Sequence, residues 1–387
     1  MAEPSYQPRG KRGARGKSLR LLAALPAVLL ITLIAAAQDF DQLAAQAARA
    51  REASRVEEAV ALYRRALSLR PRWGEGWFYL ATLLYERDAY AEASQAFEEA
   101  TDLNPQVGTA WVMLGLCEFK LGRYDAALNH LLQGRRLGIT DNPHLRSVML
   151  YHEGLLLLEK GEFEAAQKTL GTLSKEGAES EDLTVALGLS ALRLRPSQLP
   201  AADAATREAV SRAGRAEGLA VNKKFDEALG EYGRLAADFP TTPNVQYAYG
   251  RFLLTSNRDE KAVEAFRREI ENSPHHLMSR LMIADTKIRL KDAAGGLPYA
   301  EEAVKLRPQL PLGHYLLGLA LLETGQTARA VTELETAQKS APGESKIYFA
   351  LGRAYARVGR AEEAERARAT FTRLSKEQEA AEQPKPE

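Results

Sequence analysis

A 34-residue period restricts what this chain can fold into more than any other feature. The block from Gly74 to Val107 holds Trp77, Leu80, Ala81 and Leu84, then Ala93, Phe97 and Ala100, and closes with Pro105. The block from Gly108 to Asp141 repeats the plan with Trp111, Leu114, Gly115, Ala127, Leu131 and Gly134. Such a length accommodates one helix, a turn and a second helix. Trp77, Leu80 and Leu84 stand at three- and four-residue steps, which buries one face of the first helix. The small residue beside that stripe, Ala81 or Gly115, is expected to let the two helices approach closely, with Ala93 or Ala127 doing the same from the second helix. Gly122, Gly161, Gly325 and Gly359 fall where the first helix must stop, a position suited to a left-handed cap. Pro105 cannot continue a helix interior and marks the end of the second helix. Each period specifies an α-hairpin that needs neighbours to cover its apolar faces.

The arrangement resembles the tetratricopeptide repeat: Trp, Leu, Gly and Tyr in helix A, then Ala, Phe, Ala and Pro in helix B. Carried along the chain, the register yields nine units, at 40–73, 74–107, 108–141, about 147–180, 209–242, 243–276, 277–310, 311–344 and 345–378. The resemblance implies an all-α fold, a right-handed solenoid or superhelix of tandem helix-turn-helix hairpins. A first array is expected over 40–195. It ends in a lone helix A with Leu183, Leu187, Gly188 and Ala191, which is interrupted by Arg195-Pro196-Ser197-Gln198-Leu199-Pro200 before a partner helix B appears. Residues 196–208 read as an irregular joint and 209–378 as a second array, in which the unit with Gly295, Gly296 and Pro298 departs most from the pattern. After Ala361 the last helix turns polar, as a terminal cap must, and 379–387 reads as a frayed tail.

The N-terminus follows a different plan. Arg9, Lys11, Arg12, Arg15, Lys17 and Arg20 precede an uncharged stretch from Leu21 to Ala37, with small residues at Ala35 and Ala37 before Gln38. That order fits an export signal over 1–37, cleaved between Ala37 and Gln38. The same stretch reaches the lower edge of what spans a bilayer, so an uncleaved inner-membrane anchor is the alternative. In either case the repeats lie outside the cytoplasm, and the expected setting is the envelope of a bacterium, periplasmic or secreted. Membrane contact is expected only through residues 21–37.

Charge and motifs exclude several functions. Lys plus Arg number 52 against 51 for Asp plus Glu, so no overall field draws the chain to nucleic acid. A single cysteine, Cys117, rules out an internal disulfide and a cysteine-based metal site, and its apolar helix position marks it as core. His152-Glu153 opens like a zinc-protease motif, but Leu156 stands where the second histidine belongs. Gly188-Leu189-Ser190-Ala191 needs glycine, not Leu192, to make a nucleophile elbow. His275-His276 reads as a solvated turn. No catalytic residue, metal ligand or cofactor is expected.

The resemblance places the second, fifth, ninth, twelfth and thirteenth residues of each unit on a concave inner face. On this chain those positions include Phe78, Tyr85, Val112, Phe119, Tyr151, Tyr247, Arg251, Tyr315, Phe349 and Arg353. Aromatic residues and arginine carry much of the energy at protein interfaces, although aromatics here also suit packing between neighbouring helices A. Arg251, Lys346, Arg353 and Arg357 could hold an acidic or carboxylate-bearing peptide, or could form a solvated basic face. Phe78, Thr82, Val112 and Leu116 occupy inner fifth and ninth places where a clamp for a chaperone's C-terminal carboxylate needs polar residues, so that clamp is not expected. The expected function is a non-catalytic scaffold binding a protein or peptide. The alternatives are a regulatory or substrate-recruiting subunit of a separate enzyme, or a membrane-anchored spacer.

Overall fold

The computed structural model describes residues 39–139 and 142–382; the expected signal or anchor at 1–37 lies outside the described residues. Among the described residues there are nineteen α-helices, one 3-10 helix and no strand. Helices α1 (39–52) and α2 (Val56–Leu69) form the first hairpin, followed by α3 (Gly74–Glu86) with α4 (Tyr90–Leu103) and α5 (Gly108–Lys120) with α6 (Tyr124–Leu137). Then come α7 (Pro143–Lys160) with α8 (Phe163–Lys175), and the inserted α9 (Glu181–Ala191). The remaining hairpins are α10 (Ala204–Val221) with α11 (Phe225–Asp238), α12 (Val245–Thr255) with α13 (Asp259–Asn272), α14 (Leu277–Arg289) with α15 (Ala293–Leu306), α16 (Pro311–Glu323) with α17 (Thr327–Ser340), and α18 (Ser345–Arg357) with α19 (Ala361–Glu382). These make nine hairpins and one extra helix, an α-solenoid of tandem repeats. Helix α19 runs through residues 379–382, which correct the expected frayed tail, because Glu and Ala there continue a helix already formed.

The chain divides into two compact units within α7, one up to Glu153 and one from Gly154 onward, and not at the joint. In the first unit the core joins Ala47, Tyr63, Leu80, Ala81, Phe97, Leu114 and the buried Cys117. Burial pushes the Cys117 thiol up to about 12, which leaves it protonated and unreactive. Trp77 and Trp111 each donate from the indole nitrogen to the carbonyl of Pro71 and Pro105, at 2.8 and 2.9 Å. The tryptophan thereby ties α3 and α5 each to the proline that follows the preceding helix B.

Within a hairpin the small residue of helix A faces a large residue sixteen positions later. A Cβ on Gly115 would lie 2.9 Å from Leu131, one on Gly154 2.5 Å from Leu170, and one on Gly250 2.5 Å from Phe266. Such distances are shorter than real Cβ contacts, so the large side chain fills the space a Cβ would need. The turn after helix A also recurs. Residues in the left-handed region stand at Ser54, Asp88 and Gly122, and again at Lys223, Asn257, Lys291, Gly325 and Gly359, each 34 residues from the next. Most of these are not glycine, which is why the glycines alone under-report the turn.

In the second unit the joint is shorter than its sequence implies. Residues Pro196–Ala201 form a 3-10 helix, held where Ser197 donates from its N–H and hydroxyl to the Glu159 carboxylate at 3.1 and 2.6 Å. Helix α10 starts at Ala204, capped by Asp203, whose carboxylate accepts from Thr206 N–H at 2.7 Å. Residues 204–208 are therefore helix and not joint. Nor is α9 without a partner. A Cβ on Gly188 would overlap the Val210 carbonyl oxygen, and one on Gly214 the Thr184 carbonyl oxygen, so the backbones of α9 and α10 touch. Two glycines sharing a crossing explain how an extra helix fits without opening the array.

His276 is also not solvated. It caps α14: its Nδ1 accepts from Ser279 N–H at 3.1 Å, leaving Nε2–H to donate to Asn244 Oδ1 at 3.0 Å. Burial first, then Arg193 and Arg280, push its pKa down to about 4. Glu269 closes the same network, accepting from Asn244 N–H at 2.9 Å, with its own pKa raised by burial.

Two outcomes follow from this packing. Gly214→Ala is expected to destabilise the second unit by about 1–3 kcal/mol in urea unfolding, since backbone must shift to admit the methyl. His276 is neutral in the fold and its pKa lies below the unfolded value of about 6.5. Its contribution is complete above that value and is lost as pH falls toward 4. Melting temperatures of wild type and His276→Asn, which keeps a capping side chain, should diverge below pH 6.5, with wild type falling faster.

Candidate functional site

Helix stacking leaves one row of side chains in each unit only partly covered. In the first unit the ends of helices A and the starts of helices B bring aromatics together in pairs. Tyr85 of α3 meets Tyr90 of α4 with ring centroids 5.3 Å apart, and Phe119 of α5 meets Tyr124 of α6 at 5.6 Å. His152 of α7 stands edge-on to Phe119 at 4.7 Å, beside Tyr151, and the Lys120 ammonium lies 6.0 Å from the Tyr90 ring. Burial holds the His152 pKa down, so the ring is an uncharged part of this aromatic row. Phe78 lies apart from it, half-buried against Phe97 of α4 at 5.8 Å, and serves its own hairpin. Tyr90 and Tyr124 were not among the sequence candidates. They are 34 residues apart, two positions after the left-handed turn, and Phe163 and Phe225 hold the corresponding places.

The second unit sorts its candidates differently. Tyr247 is only 1% exposed, wedged between Phe266 at 5.8 Å and His276 at 5.1 Å, so it is core and not a contact residue. Arg251 is half-buried and already engaged: it donates to Gln167 Oε1 at 3.0 Å and faces the Tyr247 ring at 6.0 Å. It lines a cavity of about 380 Å³ with Glu217 and Tyr232, where the Tyr232 hydroxyl donates to Glu217 at 2.6 Å. Burial and the adjacent Glu217 raise the Tyr232 pKa.

The remaining candidates gather on α16 and α18. Tyr315 is half-buried with the Lys346 ammonium 5.5 Å from its ring, and Lys346 also pairs with Glu344 at 3.5 Å. Phe349 is 52% exposed and touches Phe371 of α19 at 5.3 Å. Arg353 pairs with Glu323, and Arg357 donates to the Leu322 carbonyl. These five residues form one mixed aromatic and basic surface. Among the described residues no group of three or more His, Cys, Asp or Glu side chains could hold a metal ion. Nor is any described helix long and apolar enough to cross a membrane.

Comparison with known proteins agrees with this architecture. The tetratricopeptide repeat family matches residues 213–276, 281–344 and 315–369. The chain is a tetratricopeptide repeat protein. Residues 52–134 of the repeat array also match the family described as anaphase-promoting complex, cyclosome, subunit 3. The curated "Anaphase-promoting complex subunit 3" of Schizosaccharomyces pombe is 27% identical over 112 residues, which cover 29% of this repeat protein and 17% of that one. Among solved structures, MamA 41-end from Desulfovibrio magneticus RS-1 is 22% identical with a TM-score of 0.40, covering 46% of this chain and 98% of that one. YrrB, titled a TPR protein with an unusual peptide-binding site, is 17% identical with a TM-score of 0.39, covering 44% and 92%. The Cut9-Hcn1 hetero-tetramer of the APC/C is 13% identical with a TM-score of 0.37, covering 87% of each chain.

Covered and uncovered tyrosines should separate in stability measurements. Tyr232→Phe leaves a buried Glu217 oxygen without its donor and is expected to cost about 1–3 kcal/mol. Tyr124→Ser, at a side chain 48% exposed, should change unfolding free energy by no more than about 0.5 kcal/mol.

Proposed function

We propose that this tetratricopeptide repeat protein is a non-catalytic interaction scaffold of the cell envelope that captures a protein or peptide on the inner faces of its helices A. The observation that carries this reading is the aromatic row of the first unit. Tyr85 with Tyr90 and Phe119 with Tyr124 are paired side by side at one end of successive hairpins, yet Tyr124 keeps half its surface exposed. Rigid aromatic side chains held by their neighbours lose little entropy when a partner covers them, which makes them efficient contact residues. Stacked repeats present such rows as extended binding surfaces. The basic n-region and apolar stretch before Asp39 support export, with the repeats acting on the far side of the membrane.

Photo-crosslinking in cells tests the surface, and N-terminal mass spectrometry tests the setting. A crosslinking residue placed at Tyr90 or Tyr124 should trap a discrete partner, while one at Glu98, two turns further along α4, should not. Equal crosslinking from all three positions would contradict the assignment. The mature chain should begin at Gln38 in the periplasmic fraction; a cytoplasmic chain retaining residues 1–37 would overturn the envelope reading.

A further inference from the structure

Two arginines of α18 hold the end of α16 in the second unit. Glu323, at the end of α16, pairs with Arg353 of α18, while Arg357 one turn along α18 donates to the adjacent Leu322 carbonyl. Lys291 in the α14–α15 turn, whose backbone takes the left-handed φ of 65° that recurs throughout the array, adds its charge to theirs at Glu323. The hydrogen bond from Arg353, followed by the charges of Arg353, Arg357 and Lys291, holds the Glu323 carboxyl below the usual carboxylate range. Lys291 has no ion-pair partner among the described residues. Next to this cluster stand Tyr315 and the exposed Phe349, so apolar and cationic groups alternate along one surface.

We propose that this surface docks an acidic segment of a partner protein carrying aromatic or aliphatic residues, and that Glu323 is a placeholder, occupying Arg353 until a partner carboxylate replaces it. This rests on the reading of the chain as an interaction scaffold and names the partner class for its basic face. Charge complementarity selects the occupant: Arg353, Arg357 and Lys291 outnumber Glu323 and the neighbouring Asp285, and Asp285 is itself paired with Arg289, so an anionic segment is what the surface can still take. Exchange of one side-chain carboxylate for another preserves the Arg353 geometry, and it requires no free chain terminus. The aromatic flank favours a polypeptide over a bare polyanion, because Phe349 gains burial only from apolar side chains.

Fluorescence anisotropy of the full chain with a labelled, C-terminally amidated peptide of alternating glutamate and phenylalanine tests this. Binding should weaken as salt rises. Arg353→Glu should weaken it at least about tenfold, and Glu323→Gln, which vacates the guanidinium, should strengthen it several-fold. Glu301→Gln on α15 makes the same change in net charge at an exposed pair with Arg329 of α17 and should leave affinity unchanged. Equal effects of Glu323→Gln and Glu301→Gln, with melting temperatures unchanged, would remove the placeholder. Binding to anionic-lipid vesicles or a single-stranded oligonucleotide in place of the peptide would overturn the assignment. A failed peptide with intact crosslinking at Tyr90 and Tyr124 would remove this inference alone.

Discussion

Everything in this chain depends on how closely the two helices of a hairpin approach. At each crossing a small residue of helix A opposes the residue sixteen positions later on helix B, as in Ala81 with Phe97, Gly115 with Leu131 and Gly318 with Leu334. The large side chain then fills the groove instead of holding the helices apart, and neighbouring stripes close over it. The rule relaxes where it can. Ala284 and Ala300 are both small there, and a Cβ on Gly296 would lie 3.1 Å from the Ala284 carbonyl oxygen, so α15 packs close against α14. Gly352 faces Arg368, whose aliphatic stem packs at the end of the array where no further hairpin follows among the described residues.

That packing consumes one face of each helix A and leaves another over. What stands on the leftover face is free to differ between units, and it does. The first unit places paired aromatics there, while the last hairpins place arginine and lysine beside Tyr315 and Phe349. The inserted α9 shows the same economy from the other side: with Gly188 and Gly214 at the crossing, its backbone lies directly on α10, and nearby Gln167, Glu217 and Arg251 satisfy one another. A buried polar network of this kind costs little when every member has a partner.

Much of the fold was legible because it rests on spacing. The period, the small residue of helix A and the proline after helix B are all visible as residue types at fixed intervals. The turn was only half visible, since Lys223, Asn257 and Lys291 adopt the left-handed conformation where glycine is the recognisable signal. The joint was misjudged for a related reason: Pro196 and Pro200 look like a break, but they are accommodated in one 3-10 turn pinned by Glu159. Site residues were harder. Tyr247 and Tyr315 hold the same position in their units, and only the neighbouring His276 and Phe266 determine that one is buried. Arg251 looked like a free cation because Gln167, its partner, is 84 positions away. Tyr90 and Tyr124 could have been found by following the position after the turn at the same period.

A double-mutant cycle at one crossing tests the governing interaction most directly. Gly318→Leu, Leu334→Ala and the combination can be compared through native-state hydrogen exchange of the α16–α17 hairpin. If the small and large residues share one space, Gly318→Leu is strongly destabilising in the wild-type background, and Leu334→Ala offsets part of that loss, with a coupling energy of about 0.5–3 kcal/mol. Additive effects of the two substitutions would contradict the account, because they would mean that the two residues do not compete for the same volume.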